Sequence, residues 1–125
     1  MTRPIEIELR VRDVDRSRAF YRRIGVPVEE PETHAGESER HAHASWGSWE
    51  AGADDFLLLS LYPATPGDAT VVSIGFVVDD LDGAHRALSA AGVEVVSAPA
   101  DRPWGRSATY RDPDGNRIGL TQRPR

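Results

Sequence analysis

The feature that most constrains this chain is an internal repeat. Val11-Arg12-Asp13-Val14-Asp15-Arg16, running on to Gly25-Val26-Pro27-Val28, recurs as Val78-Asp79-Asp80-Leu81-Asp82-Gly83, running on to Gly92-Val93-Glu94-Val95. Each copy has one grammar: an apolar strand, an aspartate cap, a helix of about three turns, a glycine and a second strand. A chain of 125 residues holding two such copies has no room for an unrelated second domain. It reads as one domain, residues 1–125, with module one at 1–62, a Pro- and Gly-containing linker at 63–70 and module two at 71–125.

Local chemistry supports the parse. Ile5, Ile7, Leu9 and Val11 alternate with Glu6, Glu8, Arg10 and Arg12, the period of a half-buried strand. Val71 to Val78 is apolar on both faces and is expected to be the more buried counterpart. Asp13 and Asp80 are placed to cap the orphan amides of two helices. Along those helices Val14, Phe20, Tyr21 and Ile24, then Leu81, Ala84, Leu88 and Ala91, form the buried stripes, and His85 is expected to face solvent. Further strands follow in each half: His41 to Trp49 and Asp55 to Tyr62, then Val93 to Ala98, Trp104 to Tyr110 and Arg117 to Thr121. The last two are joined by Arg111-Asp112-Pro113-Asp114-Gly115-Asn116, a tight-turn sequence. The architecture is βαβββ twice, of class α+β.

Composition removes several classes of function. There is no cysteine, so disulfides, thiolate nucleophiles and cysteine-ligated metals are absent. The 15 basic residues are all arginine and stand against 20 acids, for a net charge of −5, with no basic stripe; no nucleic-acid partner is expected. Much of the acid excess lies in Glu29, Glu30, Glu32, Glu37 and Glu39, readable as a solvated loop or as a rim attracting a cationic ligand. The longest apolar run, Phe56 to Tyr62, is far below the ~20 residues that span a bilayer. No membrane association and no signal peptide are expected, and a cytoplasmic location is the default.

The motifs Leu9-Arg10-Val11-Arg12-Asp13-Val14 with Ala19-Phe20-Tyr21, Val77 to Leu81, Ala91-Gly92-Val93, Pro103-Trp104-Gly105-Arg106 and Asp112-Pro113-Asp114-Gly115-Asn116 carry a family resemblance. Together they cover nearly the whole chain. It resembles the vicinal oxygen chelate superfamily, which includes glyoxalase I, extradiol dioxygenases and the fosfomycin- and bleomycin-resistance proteins. The resemblance implies eight strands in a curved, U-shaped mixed sheet around a cavity, completed in short members by a homodimer. It also implies metal ligands on the first and last strand of each module, which fall at or near Glu6, Leu59, Ser73 and Gly119. Leucine, serine and glycine do not make a metal site with one carboxylate, even with Glu8 beside Glu6, so neither metal nor other cofactor is expected. His41 and His43 share a strand face and could chelate, but spacing fixes no third ligand.

A metal-free cavity of this kind implies binding of a small molecule, an antibiotic or aromatic natural product, without chemical change. The expected ligand-binding residues are Trp46, Trp49, Tyr62, Trp104, Arg106 and Tyr110, since aromatic faces stack on planar ligands. The alternative is a glyoxalase-like lyase or isomerase. In it Glu6 or Glu8 serves as base, His41 or His43 as acid–base group, and Arg10 or Arg106 as an oxyanion clamp.

Overall fold

The computed structural model describes residues 6–33, 39–48, 55–64, 72–103 and 105–124. Seven named strands and two helices follow in the order β1 (Glu6–Val11), α1 (Val14–Arg23), β2 (Ala42–Trp46), β3 (Leu57–Pro63), β4 (Ser73–Val77), α2 (Leu81–Ala90), β5 (Val95–Arg102), β6 (Gly105–Arg111) and β7 (Arg117–Gln122). They divide into two compact units, Met1–Arg22 with Val26–Ala69, and Arg23–Gly25 with Thr70–Arg125. No described helix is long and apolar enough to cross a membrane.

The first unit contains a three-stranded sheet in the order β1-β3-β2. The β1 and β3 strands are parallel, and β2 is antiparallel to β3, so the sheet is mixed. Alternation sorts its side chains. Leu9, Val11, Ala42, Ala44, Leu59 and Leu61 are buried on one face. With Val14, Ser17, Phe20 and Tyr21 of α1 they supply the core, Phe20 and Tyr21 meeting edge to face at 5.0 Å. Asp13 caps α1 as its sequence position predicts, its Oδ1 accepting from the Arg16 amide at 3.0 Å.

The sequence leads one to expect a fourth strand in this half; among the described residues it is reduced to a bridge between Glu32 and His41, beyond the outer edge of β2. The cause is local. Pro27 and Pro31 have no amide hydrogen, so a continuous ladder cannot form along this stretch. What remains are the reciprocal Glu32–His41 backbone bonds, 2.8 and 2.9 Å, and one from the Glu29 amide to the His43 carbonyl, 3.1 Å.

The second unit has a four-stranded mixed sheet, β4-β7-β6-β5. Ala108, Tyr110, Ile118 and Leu120 are buried on one face, as are Leu81 and Leu88 of α2. Asp80 caps α2 through the Gly83 amide, and the Leu81 amide donates to Gln122 Oε1 at 2.9 Å, tying the helix start to β7. Two expectations are corrected. The apolar strand β4 is half exposed, with Val77 57% accessible, because it ends the sheet and pairs only with β7. His85 does not face solvent freely: it is half-buried, with Nδ1 2.8 Å from the Tyr110 hydroxyl. At the far edge, β5 shows register shifts between Val95 and Ala100, around the proline at 99.

Candidate functional site

The face of the first sheet opposite its apolar core gathers a set of chemically capable residues. Pairing places Ser45, Leu58 and Glu6 in one row across the strands and His43, Ser60 and Glu8 in the next, with Tyr62 opposite Arg10 beyond them. Period-two alternation turns all of these to the face opposite the core. The four weak acid–base candidates of the sequence, Glu6, Glu8, His41 and His43, are therefore brought to one side of one sheet, together with Arg10.

These groups restrain one another. Ser60 Oγ donates to Glu6 Oε2 at 2.7 Å. Arg10 donates to Glu39 at 2.9 Å, lies 3.5 Å from Glu8, and holds its guanidinium carbon 5.0 Å from the centroid of Tyr62. His41, only 1% exposed, stacks on the same Tyr62 ring at 4.6 Å with an 8° tilt, and its Nδ1 stands 3.2 Å from the Glu39 carbonyl oxygen. A carbonyl only accepts, so Nδ1 carries the hydrogen in this contact, which leaves Nε2 as the ring nitrogen able to offer a lone pair. His43 lies 5.7 Å from His41, centroid to centroid, and 3.6 Å from a carboxylate oxygen of Glu32. Arg40, next to His41, makes a two-pronged pair with Asp15 of α1 at 2.8 and 2.9 Å, which lowers the Asp15 pKa and raises that of Arg40.

The expected ligand-binding residues divide between the two units. Trp46 is half-buried and shares its face with Ala42 and Ala44, opposite Tyr62 and His43. Trp49 and Trp104 lie outside the described residues. Arg106 and Tyr110 belong to the second unit and to its α2 side: Arg106 is bonded to Asp82 and Asp101, each at 3.1 Å, which raises its pKa, and Tyr110 is fully buried. On the opposite face of that sheet Ser107 and Thr109, with Ser97 and Arg102, line a cavity of about 310 Å³. That is at the small end of the range for ligand pockets.

Burial, and then the nearby Asp82 carboxylate, raise the Tyr110 phenol above its ordinary pKa of 10.0. The native state thus keeps a proton that the unfolded chain releases, so stability is full below pH 10 and falls as pH rises above it. Tyr110→Phe should remove this alkaline loss while costing about 1 kcal/mol at neutral pH through the lost His85 bond. Urea unfolding of both proteins between pH 7 and 11 reads both effects.

The family metal positions do not fit a metal in either unit. Leu59 is on the buried face, opposite Ile7 and Ala44, so the residues facing out at that level are Leu58 and Ser60. In the second unit Ser73 pairs with Arg117, and Gly119 lies opposite Gly75. None of these side chains is an imidazole or a carboxylate. Sequence reasoning missed Glu32, which the bridge to His41 brings within reach of both histidines. The only forewarning was the His41-x-His43 spacing, with acidic residues just before it.

A βαββ unit and a βαβββ unit, each with a mixed sheet and one cap-started helix, define a glyoxalase-type α+β protein. The chain belongs to the Glyoxalase/Bleomycin resistance protein/Dioxygenase superfamily, whose family model matches residues 3–120. Among solved structures it is similar to TnmS3, an antibiotic binding protein from Streptomyces sp. CB03234, with 26% identity, a TM-score of 0.70 and coverage of 99% of this chain and 98% of that one. A glyoxalase/bleomycin resistance protein from the same Streptomyces strain is 27% identical, with a TM-score of 0.67 and coverage of 96% and 100%. TioX from Micromonospora sp. ML1, at 22% identity, a TM-score of 0.69 and coverage of 98% and 100%, shares the fold. No curated protein is significantly similar in sequence.

Proposed function

We propose that the protein binds and sequesters a small organic molecule, of the antibiotic or aromatic natural-product class, without transforming it, and does so in the cytoplasm as a homodimer. The observation that carries this reading is the likeness, over nearly the full length of both chains, to an antibiotic binding protein. The composition of the family metal positions supports it, since Leu58, Leu59, Ser60, Ser73 and Gly119 leave Glu6 without a partner ligand for a catalytic metal. The exposed Val77, Val95 and Val96 supply apolar surface that a second copy would cover.

A second reading has a specific observation in its favour. Glu6, Glu8, Arg10, His41 and His43 share one sheet face, so a lyase or isomerase working by acid–base chemistry has its groups in one place. One experiment separates the two. Purified protein is titrated with a panel of polycyclic and glycopeptide antibiotics while tryptophan fluorescence, light scattering and the mass of the recovered ligand are followed. The expected result is saturable quenching at one site per chain, a dimer mass and ligand recovered unchanged. Binding of no member of the panel would defeat the proposal, and a shifted or isomerised product would transfer it to the enzyme reading.

A further inference from the structure

The edge of the first sheet holds a cluster that the family's metal positions do not include. One ligand atom from each of Glu32, His41 and His43 falls in a group whose members all lie within 4.8 Å of one another. We propose that Glu32, His41 and His43 form a binding site for a borderline divalent transition metal of the zinc, nickel or copper type. The inference stands independently of antibiotic binding.

Three observations carry it. The first is how the backbone fixes the donors. Glu32 and His41 exchange both backbone hydrogen bonds, at 2.8 and 2.9 Å, which locks their Cα atoms opposite each other, while His43 follows two residues on and projects to the same side as His41. The second is the tautomer. With His41 Nδ1–H directed at the Glu39 carbonyl and the ring held against Tyr62, Nε2 has its lone pair in a fixed direction, the arrangement by which outer-shell acceptors orient histidine ligands. The third is the donor set. Two imidazoles and one carboxylate suit zinc and its neighbours, whereas calcium and magnesium require more oxygen ligands.

The distances are compatible with closure. Ligand atoms on one tetrahedral zinc sit about 3.3 Å apart, given metal–ligand bonds of ~2.0–2.1 Å. Glu32 Oε1 and His43 Nε2 are already 3.6 Å apart, and both side chains are partly exposed, at 49% and 28%, so they have room to turn. Three protein ligands leave a fourth position for water or for a donor atom of a bound molecule. A metal here would also clip the Glu32 segment to β2, taking the place of the ladder that Pro27 and Pro31 prevent.

The test uses untagged protein dialysed against chelator and then titrated calorimetrically with zinc chloride at pH 7.5, with Tm measured in parallel. One zinc per chain is expected, together with a rise in Tm. His43→Ala and Glu32→Gln should each weaken binding by at least ~10-fold, the lower bound for disturbing even an outer-shell partner. His85→Ala, in the second unit, should leave the titration as in the wild type. Glu32 is exposed, so Glu32→Gln carries the test if His43→Ala does not fold. Absence of any heat or Tm shift at millimolar zinc would overturn the proposal, as would wild-type zinc affinity in the folded variants.

Discussion

Asp112→Ala is expected to destabilise the protein by about 3–4 kcal/mol, lowering Tm by roughly 12 °C or more, with the loss falling on the second unit. Asp112 and Asn116 are 5% and 4% exposed, the ends of a turn that closes β6 onto β7. Asp112 Oδ1 accepts from the amides of Asp114 and Asn116 at 2.9 and 2.8 Å, and Oδ2 accepts from Asn116 Nδ2 at 2.8 Å. The side-chain oxygen of Asn116 then accepts from the Val72 amide at 2.8 Å, so the same network anchors the approach to β4. Removing the carboxylate strands three donors in a site with little water, and each bond to a charged acceptor contributes about 1.5–3 kcal/mol, less than additively. Asp112→Asn, which keeps one acceptor, should fall between wild type and alanine. Thermal and urea unfolding of the three proteins decides the matter; a loss under about 1 kcal/mol for alanine would show that the network is dispensable.

That cage also shows which kinds of information the sequence carries. The turn, the two aspartate caps, the stripe of α1 and the alternation of β1 are local patterns, and each is present in the structure at the residues that encode it; of the expected α2 stripe Leu81 and Leu88 are buried, whereas Ala91 is exposed just past the helix end. Neighbours that are distant in sequence are another matter. Whether an apolar strand is buried depends on how many strands flank it, and nothing within Val71 to Val78 says that β4 ends its sheet. The facing of Leu59 depends on a pairing register with β1 and β2, where a one-residue error moves a side chain to the other face. His85 reads as a surface residue along its helix, yet its partner Tyr110 is on a strand 25 residues away. Glu32 is the plainest case for the site: it meets His41 only because a proline-interrupted segment returns to the edge of β2, and one glutamate among several in an acidic segment gives no periodic signal.

Gly105→Ala should cost about 3 kcal/mol, although the change adds a single methyl group. Gly105 opens β6 with φ of +138°, a backbone conformation that side-chain-bearing residues rarely adopt. A Cβ at this position would collide with the carbonyl oxygen of Gln122 and lie 3.4 Å from Pro124 Cδ, so two independent penalties coincide. Neither is easily relieved. Gln122 pairs with Arg106 at the end of β7, and its side chain accepts the first amide of α2, so moving its backbone disturbs the sheet and the helix start together. The matched control is Gly75→Ala in β4 of the same sheet, where φ is not positive and a Cβ meets nothing within 4 Å. That change should be neutral, or stabilising by about 0.4–1 kcal/mol through the restricted unfolded chain. Chemical unfolding of the pair isolates backbone conformation from side-chain chemistry; equal stability of the two variants would refute the steric argument. A large difference would assign the glycine of the Pro103-Trp104-Gly105-Arg106 motif to the geometry of the β5–β6 connection, and ligand recognition by this motif would then have to come from its side chains.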